Sequence, residues 1–214
     1  MSYSIPEGKI IINSILFKGI IICTALATLI TASDTLYINV DSSVIKWTGR
    51  KVTGEHSGTL NLSDGFVIWN GKSITGGKIT FDMTSIQNTD IESREWKEKL
   101  EKHLMAEDFF FVDSFPNAIL EIKYHHQIVD DKTGQTNQII ADLTIRGITH
   151  EINLPINISH TKSNLYAEGS INIDRTLFNI KYNSGTFFEV LGDRMIYDDF
   201  TVQFSLQTRA ILHK

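Results

Sequence analysis

The feature that most restricts how this chain can fold is a period-two alternation of apolar and polar side chains that begins near Tyr37 and runs almost to the end. Successive side chains on a strand point to opposite faces, so this period describes strands with one buried and one wet face. Ile45, Trp47 and Gly49 alternate with Val44, Lys46 and Thr48, and Ile79, Phe81 and Met83 share a face opposite Thr80 and Asp82. Ala118, Leu120, Ile122 and Tyr124 repeat the arrangement, as do Leu143 with Ile145, and Ile152 with Leu154, Ile156 and Ile158. Ile171 with Ile173, and Val202 with Phe204 and Leu206, complete the set. Turn-forming residues separate the runs at Ser63-Asp64-Gly65, Asn70-Gly71, Gly76-Gly77, Asp131-Lys132-Thr133-Gly134 and Asn183-Ser184-Gly185. Short alternating strands punctuated in this way imply an all-β sandwich or barrel.

One stretch breaks the rhythm. Asp90 to Leu104 reads DIESREWKEKLEKHL, with Trp96, Leu100 and Leu104 four apart on one helical face. This predicts a single helix over about 90–105, with Asp90 as its N-cap, acids in its first turn, and Lys102 and His103 near its end. Its heavily charged side implies a helix lying across the barrel with one face down.

Residues 1–33 have a different character. Lys9 and Lys18 precede the apolar run GIIICTALATLI, and Thr31, Ala32 and Ser33 are small enough for a signal peptidase. That layout predicts a secretory signal over 1–33, a mature domain over 34–214, and a periplasmic or extracellular location. The alternative is an uncleaved anchor beginning at Ile10. Asn13, Ser14 and Lys18 interrupt that longer run, and Lys18 at a bilayer centre would cost about 3 kcal/mol. Cys23 is the chain's one cysteine, and Ile22 before it is too large for lipoprotein processing. The mature part therefore has no disulfide from which to read its compartment. It shows no internal repeat, low-complexity tract or second linker, and reads as one domain.

With 42% hydrophobic and 21% charged residues, the chain can bury a core and is not disordered. The formal charge of -5, without clustered Lys and Arg, argues against a nucleic-acid partner. Catalytic signatures are also missing. There is no Gly-x-Ser-x-Gly elbow, phosphate-cradling loop or dinucleotide fingerprint, so the expectation is a protein that is not an enzyme and has no cofactor. Asp108 and Asp113 flank Phe109-Phe110-Phe111 and read as a helix-to-strand loop rather than a carboxylate pair. His125 and His126 are adjacent on a strand and point apart, so they do not form a metal pair.

Six pieces of sequence, in order, resemble the YceI-like, polyisoprenoid-binding family over nearly the whole mature chain. They are Asp41 to Gly49, Gly54-Glu55-His56-Ser57-Gly58, and Gly76 to Ile86. Then come His103-Leu104 with Asp108-Phe109-Phe110 and Phe115-Pro116-Asn117-Ala118, Leu143 to Thr149, and Asp174-Arg175 with Phe178 and Ile180. The resemblance implies an antiparallel, lipocalin-like barrel of about eight strands with one helix against it, enclosing an elongated apolar pore. It further implies an exported bacterial protein holding an isoprenoid tail, with a homodimer allowed and membrane contact for lipid exchange. Three positions depart from the family pattern: Phe111 stands in place of an acid, and Ala141 and Asn179 in place of glycines. Phe111 would add an apolar group near the helix, narrowing or lengthening the pore.

An eight-stranded barrel is either filled by its own side chains or left open for one ligand. Strand parity selects Trp47, Phe81, Leu120, Leu143, Leu154, Ile171 and Phe204 as the ligand-binding wall, the alternative being ordinary core. His56, between Gly54 and Gly58 on an expected turn, either donates to a head group at the pore mouth or bonds nearby carbonyls. Arg175 either binds a phosphate head group bidentately or forms an ion pair with a neighbour such as the strand partner of Asp174. At about 0.3 kcal/mol per heavy atom, a forty-carbon tail would yield about 12 kcal/mol from apolar area alone. Competing readings are a binder of fatty acids or their amides, and a filled structural or stress-associated barrel with no ligand.

Overall fold

The computed structural model describes residues 1, 33–127, 137–161 and 164–209. Residues 2–32, which hold Cys23 and all but the ends of the expected secretory signal, and the expected turn at Asp131 to Gly134 lie outside the described residues. The strands are β1 (Asp34–Tyr37), β2 (Val44–Lys51), β3 (Gly54–Trp69), β4 (Ile74–Asn88), β5 (Asn117–Gln127), β6 (Asn137–Ile145), β7 (Ile148–His160), β8 (Leu165–Asp174) and β9 (Ile196–Gln207). One α-helix, α1 (Arg94–Met105), joins β4 to β5.

All pairings of these strands are antiparallel. The sheet runs β3-β2-β9-β8-β7-β6-β5-β4 and returns to β3, which closes it into a barrel. The named strands exceed the staves by one because β3 is long enough for two partners in tandem. Its first half pairs with β2 from Gly54 to Leu60, and its last residues, Phe66 to Trp69, pair with β1. Ile38, just after β1, bridges to Thr208 beyond β9, so β1 and β2 form one interrupted stave. The barrel therefore has eight staves, as expected.

Two expected turns are absent. Ser63-Asp64-Gly65 lies inside β3, and Gly76-Gly77 inside β4. Bulges in the β3–β4 ladder bend both long strands there, as an extra residue in one strand does. Gly77 is needed for close approach: a Cβ on it would sit 2.6 Å from the Phe66 carbonyl oxygen. The turns at Asn70-Gly71 and Asn183 to Gly185 are present, the first held by the Asn70 side chain accepting from the Lys72 and Ser73 amides. Another bulge, between Ile122 and Tyr124, shifts the parity of β5 and turns Tyr124 outward.

The helix starts later than its charge pattern suggests, with Ser93 as N-cap. Asp90 is engaged elsewhere. Its carboxylate accepts from the Ser57 amide (2.9 Å) and the Asn88 side chain, and pairs with His56 Nδ1 at 2.9 Å. Trp96, expected on the buried face, is 57% exposed, with Lys99 Nζ 4.7 Å from its ring centroid. The face that packs is Leu100 and Leu104, and Glu101 accepts from the Asn88 amide to tie the helix to the end of β4.

Burial alone would raise the Asp90 pKa, but hydrogen bonds from Ser57, His56 and Asn88, with the charge of His56, bring it below the usual carboxylate range. A depressed folded-state pKa means that this stabilisation is complete above about pH 4 and is lost as pH falls through the folded value. Asp90→Asn should therefore cost about 1 kcal/mol at neutral pH, a figure reduced for a side chain one-third exposed. Urea midpoints of the two proteins at pH 7 and pH 3 check this; the gap should narrow in acid.

Candidate ligand cavity

The inner faces of the strands enclose two apolar chambers, with cavity volumes of about 90 Å³ and about 130 Å³. A single water needs roughly 10 to 15 Å³ on the same scale, so the interior is hollow. Ile45, Phe81, Leu143, Ile173 and Val202 belong to both walls and stand between the two chambers. The first chamber carries one polar side chain, Thr208, whose hydroxyl already accepts from the Leu165 amide at 2.9 Å. In the second chamber the charged side chains are Arg175 and Asp199. A space lined this way stays dry and suits an apolar occupant.

The cavity is long. Ile196 and Tyr197 at the start of β9 line the second chamber, and Thr208 beyond its end lines the first. At about 3.3 Å per residue that path covers about 40 Å of strand, or about 30 Å along the axis of a barrel with ordinary tilt.

Leu120, Leu154, Ile171 and Phe204 line the first chamber, Trp47 the second, and Phe81 and Leu143 both. Reading parity along each strand thus picks out side chains that converge on one space. It misses contributors from outside regular strands: Ile38 in the break between β1 and β2, Leu104 on α1, and Phe109 and Phe110 after it. The helical spacing of Leu104 and the aromatic pair in the family-like stretch were the available signals. Phe111 is not on the cavity wall; it adopts a left-handed backbone (φ 51) and meets Phe115 edge-on at 5.8 Å. It therefore neither narrows nor lengthens the pore. Ala141 is fully buried, and Asn179 takes φ 60 at the end of the 3-10 turn Arg175–Phe178, a conformation Asn tolerates better than most non-glycine residues.

The two polar candidates stand elsewhere than a head-group site requires. His56 lies within β3 rather than on a turn, bonds Asp90, and lines neither chamber. Arg175 borders the second chamber but is only 2% exposed, and its donors are engaged. Nε donates to the Tyr197 carbonyl (3.1 Å), Nη1 to that of Ile180 (2.9 Å), and Nη2 to that of Ile196 (3.0 Å) and to Asp198 Oδ1 (3.3 Å). The ion pair is with Asp198, not with Asp199, the strand partner of Asp174. Burial pushes the guanidinium pKa down, while Asp198 and Asp174 pull it back up. Arg175 fastens the connection between β8 and β9 across the barrel floor. The other imidazoles are dispersed: His103 lies against Tyr182, His150 on the Leu177 carbonyl, and His160 against Trp69.

A closed antiparallel barrel around a long apolar cavity defines the lipocalin-like class of fold. Within that class the chain belongs to the YceI-like family, whose domain matches residues 36–208. Solved structures show the same fold. BcnA of Burkholderia cenocepacia is 16% identical with a TM-score of 0.61, the match covering 79% of this chain and 98% of that one. A polyisoprenoid-binding domain from Saccharophagus degradans is 13% identical with a TM-score of 0.59, covering 82% of this chain and 98% of its own. No curated protein sequence matches the chain significantly.

Removing the Arg175 side chain would leave three carbonyls and a carboxylate without their donor. Arg175→Ala should lower stability by about 3 kcal/mol, and Arg175→Lys should recover only part of it, because an ammonium cannot span the same fan of acceptors. Equilibrium denaturation checks both, and ligand content per folded molecule should stay at the wild-type level.

Proposed function

We propose that the protein is an exported carrier that holds one long lipid tail, foremost an isoprenoid chain, in the barrel, and that it binds rather than transforms its ligand. The observation that carries this reading is the pair of apolar chambers that share five wall residues and whose lining extends about 30 Å along the barrel. That length is close to the hydrocarbon thickness of a whole bilayer and about twice what a single acyl chain spans in its leaflet. Membership of the YceI-like family, and the polyisoprenoid-binding description of the Saccharophagus degradans domain, support the same ligand class. The order of charged, apolar and small residues over 1–33 supports export.

Binding on these terms needs no polar anchor. Apolar area removed from water supplies the affinity, although Trp47 Nε1, on the wall of the second chamber, is a buried donor with no hydrogen-bond partner. Among the described residues Arg175 is the cation that borders the chambers, and its engaged donors leave a charged head group to stay outside.

Leu143 lines both chambers and stands between them, so Leu143→Trp should block the passage while keeping the wall apolar. Organic extracts of the purified protein, read by mass spectrometry, should contain a polyprenyl compound near one per chain. The variant should carry at least tenfold less. A fatty acid or fatty amide in the wild-type extract would favour the second amphiphile class. An empty wild-type extract, with Leu143→Trp destabilised by the roughly 1 to 3 kcal/mol of an overpacked core, would show a filled barrel instead.

A further inference from the structure

One ladder of the barrel wall stops short of the ends of its strands. The ladder between β7 and β8 runs only from His160 opposite Leu165 to Ile156 opposite Gly169. Both strands continue beyond that point, β7 back to Ile148 and β8 on to Asp174, and each stays paired to its other neighbour. Continued in register, Asn153 would face Asn172 and Glu151 would face Asp174, yet no pairing joins them.

The sequence explains why the ladder stops there. The hairpin between β6 and β7 has two loop residues, Arg146 and Gly147, and pairs Ile145 with Ile148. Backbone alternation then turns the polar groups of Ile152 and Leu154 toward β6, and those of Glu151, Asn153 and Pro155 toward β8. Pro155 has no N–H to donate at the first step beyond the last pair. Two steps of that alternation further, two carboxylates would stand directly opposite each other, which opposes pairing. Each already has its own partner: Glu151 accepts from Lys123 Nζ (2.9 Å), and Asp174 from the Thr176 amide (2.8 Å). The strands separate from a tight crossing, since a Cβ on Gly169 would lie 2.4 Å from the Pro155 carbonyl oxygen.

The break is a bounded slot. One end is the Ile156–Gly169 crossing. At the other, His150 Nε2 donates to the Leu177 carbonyl (3.0 Å) and its ring meets Phe178 edge-on at 5.3 Å. Glu151 to Leu154 spans about 10 Å of strand. Behind the slot stand Ile152, Leu154, Ile171 and Ile173, all in the wall of the first chamber. Its outer lips, Glu151, Asn153, Ser170 and Asn172, are exposed and polar, which keeps two unpaired edges from recruiting a foreign strand.

We propose that this slot between β7 and β8 is a lateral portal through which a lipid tail passes into the first chamber, a role that rests on the lipid-binding reading above. A tail sliding in sideways meets apolar wall along its length, whereas end-on threading would draw it through the whole tube. Opening breaks no ladder pair, because the last one is Ile156 with Gly169 and none joins Asn153 to Asn172 or Glu151 to Asp174.

Two measurements on the full chain test the portal. The first is amide hydrogen exchange. Glu151, Asn153 and Asn172 should exchange at least 100-fold faster than Asn157 and Glu168, which lie in the intact ladder. Equal protection would mean a closed wall and would overturn the portal. The second uses Asn153→Cys with Asn172→Cys in a Cys23→Ser background, the two thiols joined by a short bis-maleimide linker. Uptake of a dansyl-labelled polyprenol from phosphatidylcholine vesicles should slow at least tenfold in the linked protein, with the final amount bound unchanged. A bound probe whose uptake rate ignores the linker overturns the portal alone. No binding by any form overturns the lipid reading and the portal with it.

Discussion

Closure of the sheet through the β3–β4 ladder is the constraint on which everything else depends. Once eight staves form a ring, every inward side chain points at an axis rather than at a facing layer, and opposite walls cannot collapse together as the sheets of a sandwich do. Whether the interior is full then depends on side-chain size. Most of the wall is Ile, Leu and Val, with Phe81 and Phe204 as the rings of the first chamber. Aliphatic side chains of that length coat the wall without meeting across it, and the remaining space is the cavity.

The ends of the tube are built by different means. Polar groups there cannot join the ladder and must be satisfied locally. Around the start of α1 this is done by Asp90, which collects His56, Ser57 and Asn88. Beyond β8 it is done by Arg175, and Arg146 adds hydrogen bonds to the carbonyls of Phe109 and Asn179. These charged side chains resemble ligand-binding groups when viewed as isolated letters. In the folded chain they hold loops against the barrel, and the chambers are left with an almost wholly apolar wall.

Much of the site could be read before folding, and what could not has definite causes. Trp47, Phe81, Leu120, Leu143, Leu154, Ile171 and Phe204 fall on the wall because period-two parity survives wherever a strand is unbroken. It fails at Tyr124 because one bulge reverses the face of every later residue. Glycine-containing clusters at 63–65 and 76–77 mimic turns, since a close backbone approach inside a strand calls for the same residue as a turn does. Ile38 and Phe110 carry no periodic signal and reach the cavity only through tertiary placement.

Local chemistry written along the chain determined the all-β class, the single helix and the apolar character of the inner face, because each depends on neighbours within a few residues. Tertiary structure alone decided that the face closes on a hollow space, that Arg175 and His56 are spent on the scaffold, and that the wall parts between β7 and β8. Those outcomes depend on which distant segments meet. Asp90 can cap a helix or grip His56, and Arg175 can hold a phosphate or three carbonyls, with the same side chain; only the fold chooses the partner.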